Sequence, residues 1–155
     1  MKLTLLVVGK VRGPMADPIR EYEQRIRHYF SLQVVEVKEE PGGGRRSPEE
    51  VMAAEGERLL ARVPPGSEVI ALDRRGTQWS SEELAHHLES LAVSAHPGAT
   101  LVIGGAYGLS PQVLERADRK LSLSAMTLPH ELARLVITEQ LYRAGTILRG
   151  EPYHK

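Results

Sequence analysis

The residues with the greatest chemical capacity lie in the last third of the chain. Its end runs Glu139-Gln140-Leu141-Tyr142-Arg143-Ala144-Gly145-Thr146-Ile147-Leu148-Arg149-Gly150-Glu151-Pro152-Tyr153-His154-Lys155. Arg143 and Arg149 carry guanidinium groups suited to phosphate, Tyr153 an aromatic face and a phenol, and His154 an imidazole able to handle a proton or touch phosphate. A tail docked only for stability fits the same residues. Gly104-Gly105-Ala106-Tyr107-Gly108 stands between a strand pattern and a helix pattern. Glycine there permits close approach of backbone to a ligand. Leu123-Ser124-Ala125-Met126-Thr127-Leu128-Pro129-His130 is apolar yet carries hydroxyls, and can line a flat slot while its backbone groups address the edge of a purine.

Several chemistries are excluded. The glycine run is not G-x-G-x-x-G and lacks the Gly-Lys-Ser/Thr ending of a phosphate loop. His130-Glu131 continues as Leu132-Ala133-Arg134, without the second histidine of a zinc protease. His86 and His87 are helical neighbours that point about 100° apart, a poor ligand pair. No Gly-x-Ser-x-Gly elbow occurs, and the chain has no cysteine, which removes disulfides and thiolate metal sites. No metal is expected.

Strand and helix patterns alternate along the whole chain. Leu3–Val8 is a continuous apolar run, the mark of a strand covered on both faces. Asp17-Pro18 reads as a helix start with Asp17 as N-cap, running to about Tyr29. Leu32–Val37 is a strand, and Gly42-Gly43-Gly44-Arg45-Arg46 a solvated loop. Ser47-Pro48-Glu49-Glu50 and Ser80–Glu83 are capping boxes that open helices to about Arg62 and Ala95. Between them Val69–Leu72 is a short strand. Thr100–Ile103 is the next strand, and Ser110-Pro111 starts a helix to about Lys120. Leu121–Leu128 is largely extended, and a last helix spans about His130 to Leu148. This order predicts an α/β fold, a mainly parallel sheet with helices on both faces. Ligands bind such sheets beyond the carboxyl ends of the strands, here the turns after Leu72 and Ile103 and the segment Leu123–Leu128.

Bulk properties agree with one domain over residues 1–155, without a separate RNA-binding domain. Hydrophobic residues make up 41% and charged residues 26% of the 155, the balance of an ordinary globular protein. Lys plus Arg and Asp plus Glu number 20 each, which argues against tight non-specific nucleic-acid binding but allows local arginine clusters to meet one shaped RNA surface. No apolar run is long enough to span a bilayer, so no membrane partner is expected, and a cysteine-free chain suits a reducing cytoplasm.

Taken together, the motifs resemble the ribosomal RNA large subunit methyltransferase H family, a minimal group of SPOUT methyltransferases. The resemblance covers essentially the whole chain. It rests on Met1-Lys2-Leu3, Leu72-Asp73, Gly104-Gly105-x-x-Gly108-Leu109-Ser110, Leu123-Ser124-x-Met126-Thr127-Leu128-Pro129-His130, Glu139-Gln140-x-Tyr142-Arg143-Ala144 and Pro152-Tyr153-His154. It implies methylation of N3 of a pseudouridine in large-subunit (23S) ribosomal RNA of the assembled ribosome. It also implies S-adenosylmethionine as donor, a homodimer and a C-terminal trefoil knot. By the same resemblance, Leu72, Gly104, Leu123, Ser124, Ala125, Met126, Thr127 and Leu128 hold the donor. Loss of the imide proton calls for a base or a cation near the target, with Arg143, Tyr153 and His154 as the catalytic candidates. Leu132, Leu135, Val136, Leu141, Ala144, Ile147 and Leu148 make the last helix apolar on more than one face, as in a helix buried against a second subunit. A non-catalytic nucleotide-binding protein and a transfer-RNA methyltransferase remain as rival readings.

Overall fold

The computed structural model describes all residues, Met1–Lys155. Five strands, β1 (Lys2–Val8), β2 (Ser31–Val37), β3 (Glu68–Gln78), β4 (Ala99–Ile103) and β5 (Arg119–Ser122), form one sheet in the order β2-β1-β4-β3-β5, every pair parallel. The helices are α1 (Ala16–Ile26), α2 (Pro48–Leu60), α3 (Ser81–Val93), α4 (Pro111–Arg116) and α5 (His130–Leu148). Alternation along β1 explains the layers. Leu3, Leu5 and Val7 pack into a core with residues of α1, α3 and α5, whereas Leu6 and Val8 pack with residues of α2 and α4. Leu3 through Val8 are buried, as the unbroken apolar run requires. Each leucine removed from water there contributes about 1.5–3 kcal/mol.

Both capping boxes form: Ser47 and Ser80 accept from the backbone N–H of Glu50 and Glu83, whose carboxylates reach back to the N-cap amides. Five boundaries differ from the sequence reading. Asp17 is not an N-cap: a 3-10 turn at Gly13–Met15 runs directly into α1, Met15 takes the cap position, and Asp17 lies exposed in the first turn. Pro18 costs nothing there, because the first-turn amides have no helical acceptors. Helix α1 also ends at Ile26, and Arg27–Tyr29 form a turn. Helix α4 stops at Arg116 because Asp118 is stitched to β3, its carboxylate accepting from Val69 N–H at 2.8 Å and its own N–H donating to the Val69 carbonyl at 2.9 Å. That contact starts β5 at Arg119, so only its first residues are extended and Leu123–Pro129 leave the sheet without regular structure. Finally, β3 outruns Leu72. Both Leu72 and Thr77 pair with Leu121, so residues 73–76 bulge from the ladder.

Helix α5 crosses the face formed with α1 and α3. Gly145 makes this possible, since a Cβ there would strike the Tyr29 ring. Arg134 is buried within α5 and is paired with Glu23 of α1 at 2.8 Å and Glu36 of β2 at 2.9 Å. No helix is long and apolar enough to cross a membrane.

Candidate active site

At the carboxyl edge of β3, β4 and β5 lies a cavity of about 830 Å³, within the ~300–1,000 Å³ range of small-molecule sites. Three segments converge on it: Leu72 with the bulge after it, the turn Gly104–Leu109, and the segment from Leu123 to Leu128. Of the expected donor-binding residues, Leu72, Gly104, Leu123, Ser124, Met126, Thr127 and Leu128 line the cavity. Ala125 does not; its exposed side chain sits between two lining residues. His130 and Ala133 close the wall from the first turn of α5.

Local chemistry shapes each wall. The glycine turn folds back on itself, with Gly108 N–H donating to the Gly105 carbonyl at 3.1 Å. A Cβ on Gly104 would come within 2.6 Å of the Gly108 carbonyl carbon. Glycine is therefore required at 104 by close backbone approach. The bulge is held in the same way: Gly76 lies against the Lys120 backbone, and Ser122 Oγ donates to the Arg74 carbonyl at 3.0 Å. Ser124 Oγ accepts from Met126 N–H at 3.0 Å, shaping the last segment as a Ser turn.

Behind the glycine turn sits Glu55 of α2, a residue that sequence reading missed. It is 2% exposed, and its carboxylate would lie about 3 Å from a Cβ at Gly105. One oxygen accepts from Glu40 N–H at 3.1 Å and the other has no partner. Burial pushes its carboxyl above the ordinary value, and the Glu40 amide opposes this. A raised pKa means that the folded state holds the proton more tightly than the unfolded chain. The associated stability is complete below the ordinary carboxyl pKa and is lost as pH rises through the raised one. Chemical denaturation across that interval shows the loss in the parent chain, and Glu55→Gln removes that component of the profile.

Arg143, Tyr153 and His154 come together, but away from the cavity. Arg143 donates twice to Glu139 Oε1, from Nε at 3.0 Å and Nη2 at 2.7 Å, and to His154 Nδ1 from Nη1 at 3.0 Å. Tyr153 OH donates to the same Glu139 oxygen at 2.9 Å, and Arg143 stacks over the Tyr153 ring. Because an arginine can only donate, His154 Nδ1 is an acceptor, and its proton sits on Nε2, which faces Glu82 at 2.6 Å. That contact with His154 holds the Glu82 carboxyl below the ordinary range. Burial first, then the bond to Glu139, raises the Tyr153 phenol well above its usual value, so Tyr153 is a donor and not a base. Glu139 is the hub of the cluster. In the sequence it stands in the motif Glu139-Gln140-x-Tyr142-Arg143-Ala144, and its i, i+4 spacing to Arg143 is the signal for the pairing. His130 and Arg143 stand thirteen residues apart on α5, about 20 Å at 1.5 Å per residue. One chain does not bring its own tail to its own cavity.

A parallel sheet with a glycine-walled cavity at its carboxyl edge defines an α/β protein with a cavity of small-molecule size, and comparison with known proteins narrows the class. A family model described as "Predicted SPOUT methyltransferase" matches residues 1–154. Proteins named Ribosomal RNA large subunit methyltransferase H are similar over the full length. That of Gemmatimonas aurantiaca is 53% identical over 156 residues, covering 100% of both chains. That of Syntrophotalea carbinolica is 48% identical over 155 residues, covering 99% of each. A solved structure, a probable methylase family protein from Haemophilus influenzae Rd KW20, covers 99% of this chain and 70% of its own at 16% identity and a TM-score of 0.51, a likeness of fold. The chain belongs to the ribosomal RNA large subunit methyltransferase H family of SPOUT methyltransferases.

Proposed function

We propose that this protein transfers a methyl group from S-adenosylmethionine to N3 of a pseudouridine in large-subunit ribosomal RNA of the assembled ribosome. In this reading it is a single-domain cytoplasmic enzyme that works as a homodimer without a metal. Family membership supports the reaction class, and the convergence of three strand-end segments on one cavity carries the reading of the site. The residues present fit the donor. Leu72, Leu123 and Leu128 supply apolar walls for a flat base, and the turn whose Gly104 admits no Cβ supplies backbone at close range. When bound, S-adenosylmethionine supplies an electrophilic methyl group.

The residues of the chain must then align an RNA nitrogen and deal with its proton. Arg143, fixed by Glu139, stabilises negative charge on the imide and orients it. Tyr153 stays protonated and offers a hydrogen bond and a ring face. His154 accepts a proton only once Arg143 has turned away from Nδ1. These groups act on a cavity about 20 Å away along α5, and a second copy resolves the distance. Leu132 and Val136 are half-exposed on α5, on the same face as Glu139 and Arg143. A two-fold axis through that stripe lays two α5 helices antiparallel and brings the tail of one copy to the cavity of the other. The trefoil knot implied by the family belongs to the same reading. Return of the chain from β5 at the sheet edge to α1 at the opposite side supports it.

Radiolabelled donor with assembled ribosomes, isolated large subunits and transfer RNA, offered in parallel, tests the substrate. Incorporation into ribosomal RNA of assembled ribosomes, mapped to N3 of one pseudouridine, is the expected result. Incorporation into transfer RNA, or none anywhere, contradicts it.

A further inference from the structure

The mouth of the cavity carries two cations that form no ion pair, although the carboxylates of Asp73 and Glu115 line the same cavity. Arg74 lies in the bulge of β3 and Lys120 in β5; both line the cavity, both are exposed, and neither forms an ion pair. Their sequence neighbours differ. Arg75 is paired with Asp73 at 3.3 Å, and Arg119 with Glu68 at 3.3 Å. The two free cations are also held together. Gly76 is pressed against the Lys120 carbonyl, and the buried Ser122 hydroxyl binds the Arg74 carbonyl. A bulge beside a cavity re-aims its side chains, and this one keeps two positive groups at the rim without spending them on the fold.

The turn between β4 and α4 supplies an aromatic group to the same mouth. Tyr107 also lines the cavity, is 48% exposed, and carries its hydroxyl beside Gly42 of the glycine-rich loop. A large aromatic left open to solvent beside unpaired cations is the pairing used for single-stranded nucleic acid, with cations on phosphate and the ring under a base. The net charge of the chain is zero, so attraction to a polyanion must come from such local groups.

We propose that Arg74 and Lys120 hold a backbone phosphate of the RNA, and that Tyr107 stacks on an unpaired base beside the target nucleotide. This surface rests on the methyltransferase reading above and adds to it the side from which the RNA strand approaches. The carboxylate of the donor is the other anion that could reach these cations, and the test separates the two.

The full-length protein and three variants, Arg74→Ala/Lys120→Ala, Tyr107→Ala and Tyr107→Phe, are compared by ribosome KM at several salt concentrations, saturating kcat and donor Kd by calorimetry. The double variant is expected to raise KM about 10-fold near physiological salt and to lower the slope of log affinity against log salt by about 0.7–0.9, the amount for one phosphate contact. Its kcat and donor Kd stay within about two-fold of the parent, the usual pattern for lost uniform binding. Tyr107→Ala raises KM about 10-fold, and Tyr107→Phe, which keeps the ring, restores it. An unchanged KM and salt slope overturns the proposal. So does a rise in donor Kd that accounts for the whole loss, which would assign the cations to the donor carboxylate. If the parent chain methylates no RNA, the functional reading fails by itself. Binding of a single-stranded RNA oligonucleotide by parent and variants then still decides whether this rim takes RNA.

Discussion

Gly104→Ala is expected to weaken binding of the proposed donor, S-adenosylmethionine, about 100-fold, equivalent to about 2.7 kcal/mol, while the fold survives. The size of the effect follows from where the methyl group lands. It meets three backbone atoms of Gly108 at 2.6–3.0 Å, and backbone cannot swing aside as a long side chain can. The turn must open, which moves the cavity wall formed by Gly105 through Leu109. Overpacking of this kind costs about 1–3 kcal/mol of stability, less than a domain of this size needs to unfold. Calorimetry with the donor reads the loss, and thermal melting shows that the variant is folded. Gly42→Ala is the control, because its Cβ would meet Tyr107 only at 3.7 Å or more, an ordinary contact. Unchanged donor affinity in Gly104→Ala would place the donor elsewhere.

Arg134→Ala is expected to be the most damaging substitution for stability. Arg134, 6% exposed, is held by Glu23, 7% exposed, and by the less buried Glu36. Removing the arginine leaves buried carboxylate charge without a partner, at a cost of about 3–5 kcal/mol. At about 2–4 °C per kcal/mol for a chain of this length, the melting temperature falls by roughly 6–20 °C. Combining Arg134→Met with Glu23→Leu recovers most of the loss, because the unpaired charge and not the lost bridge carries the penalty. Equal melting temperatures for Arg134→Ala and the parent would show that the network does not tie α5 to α1 and β2.

Patterns spanning neighbouring residues were legible in the sequence. The run Leu3–Val8, the two capping boxes and the helix from His130 to Leu148 stand where they are expected. So do the strand-end turns that line the cavity, since parallel strands place their carboxyl ends together. Features set by long-range pairing were not. Asp73-Arg74-Arg75-Gly76 reads as a polar loop, and only pairing of both Leu72 and Thr77 with Leu121 makes it a bulge. Asp118 looks like a helical residue until its bonds to Val69 end α4 early. Glu55 and Arg134 fall on the apolar stripes of their helices, with Val51 and Leu59 and with Ile137 and Leu141, but their charge alone reads as surface, and only partners far away in sequence accept each of them in the interior. The tail motif indicates which groups could do chemistry, but the length of α5 decides that they cannot do it in their own cavity.

In the proposed homodimer one reaction centre is divided between two copies, the cavity from one and the tail from the other. Mixing Gly104→Ala with a chain lacking Pro152–Lys155 tests it most directly. Random re-pairing makes half the dimers hybrid, each with one intact centre out of two, so methyl transfer to ribosomes should recover to about a quarter of the parent rate while either variant alone stays near background. No recovery, with hybrid dimers shown to have formed, would contradict the divided centre.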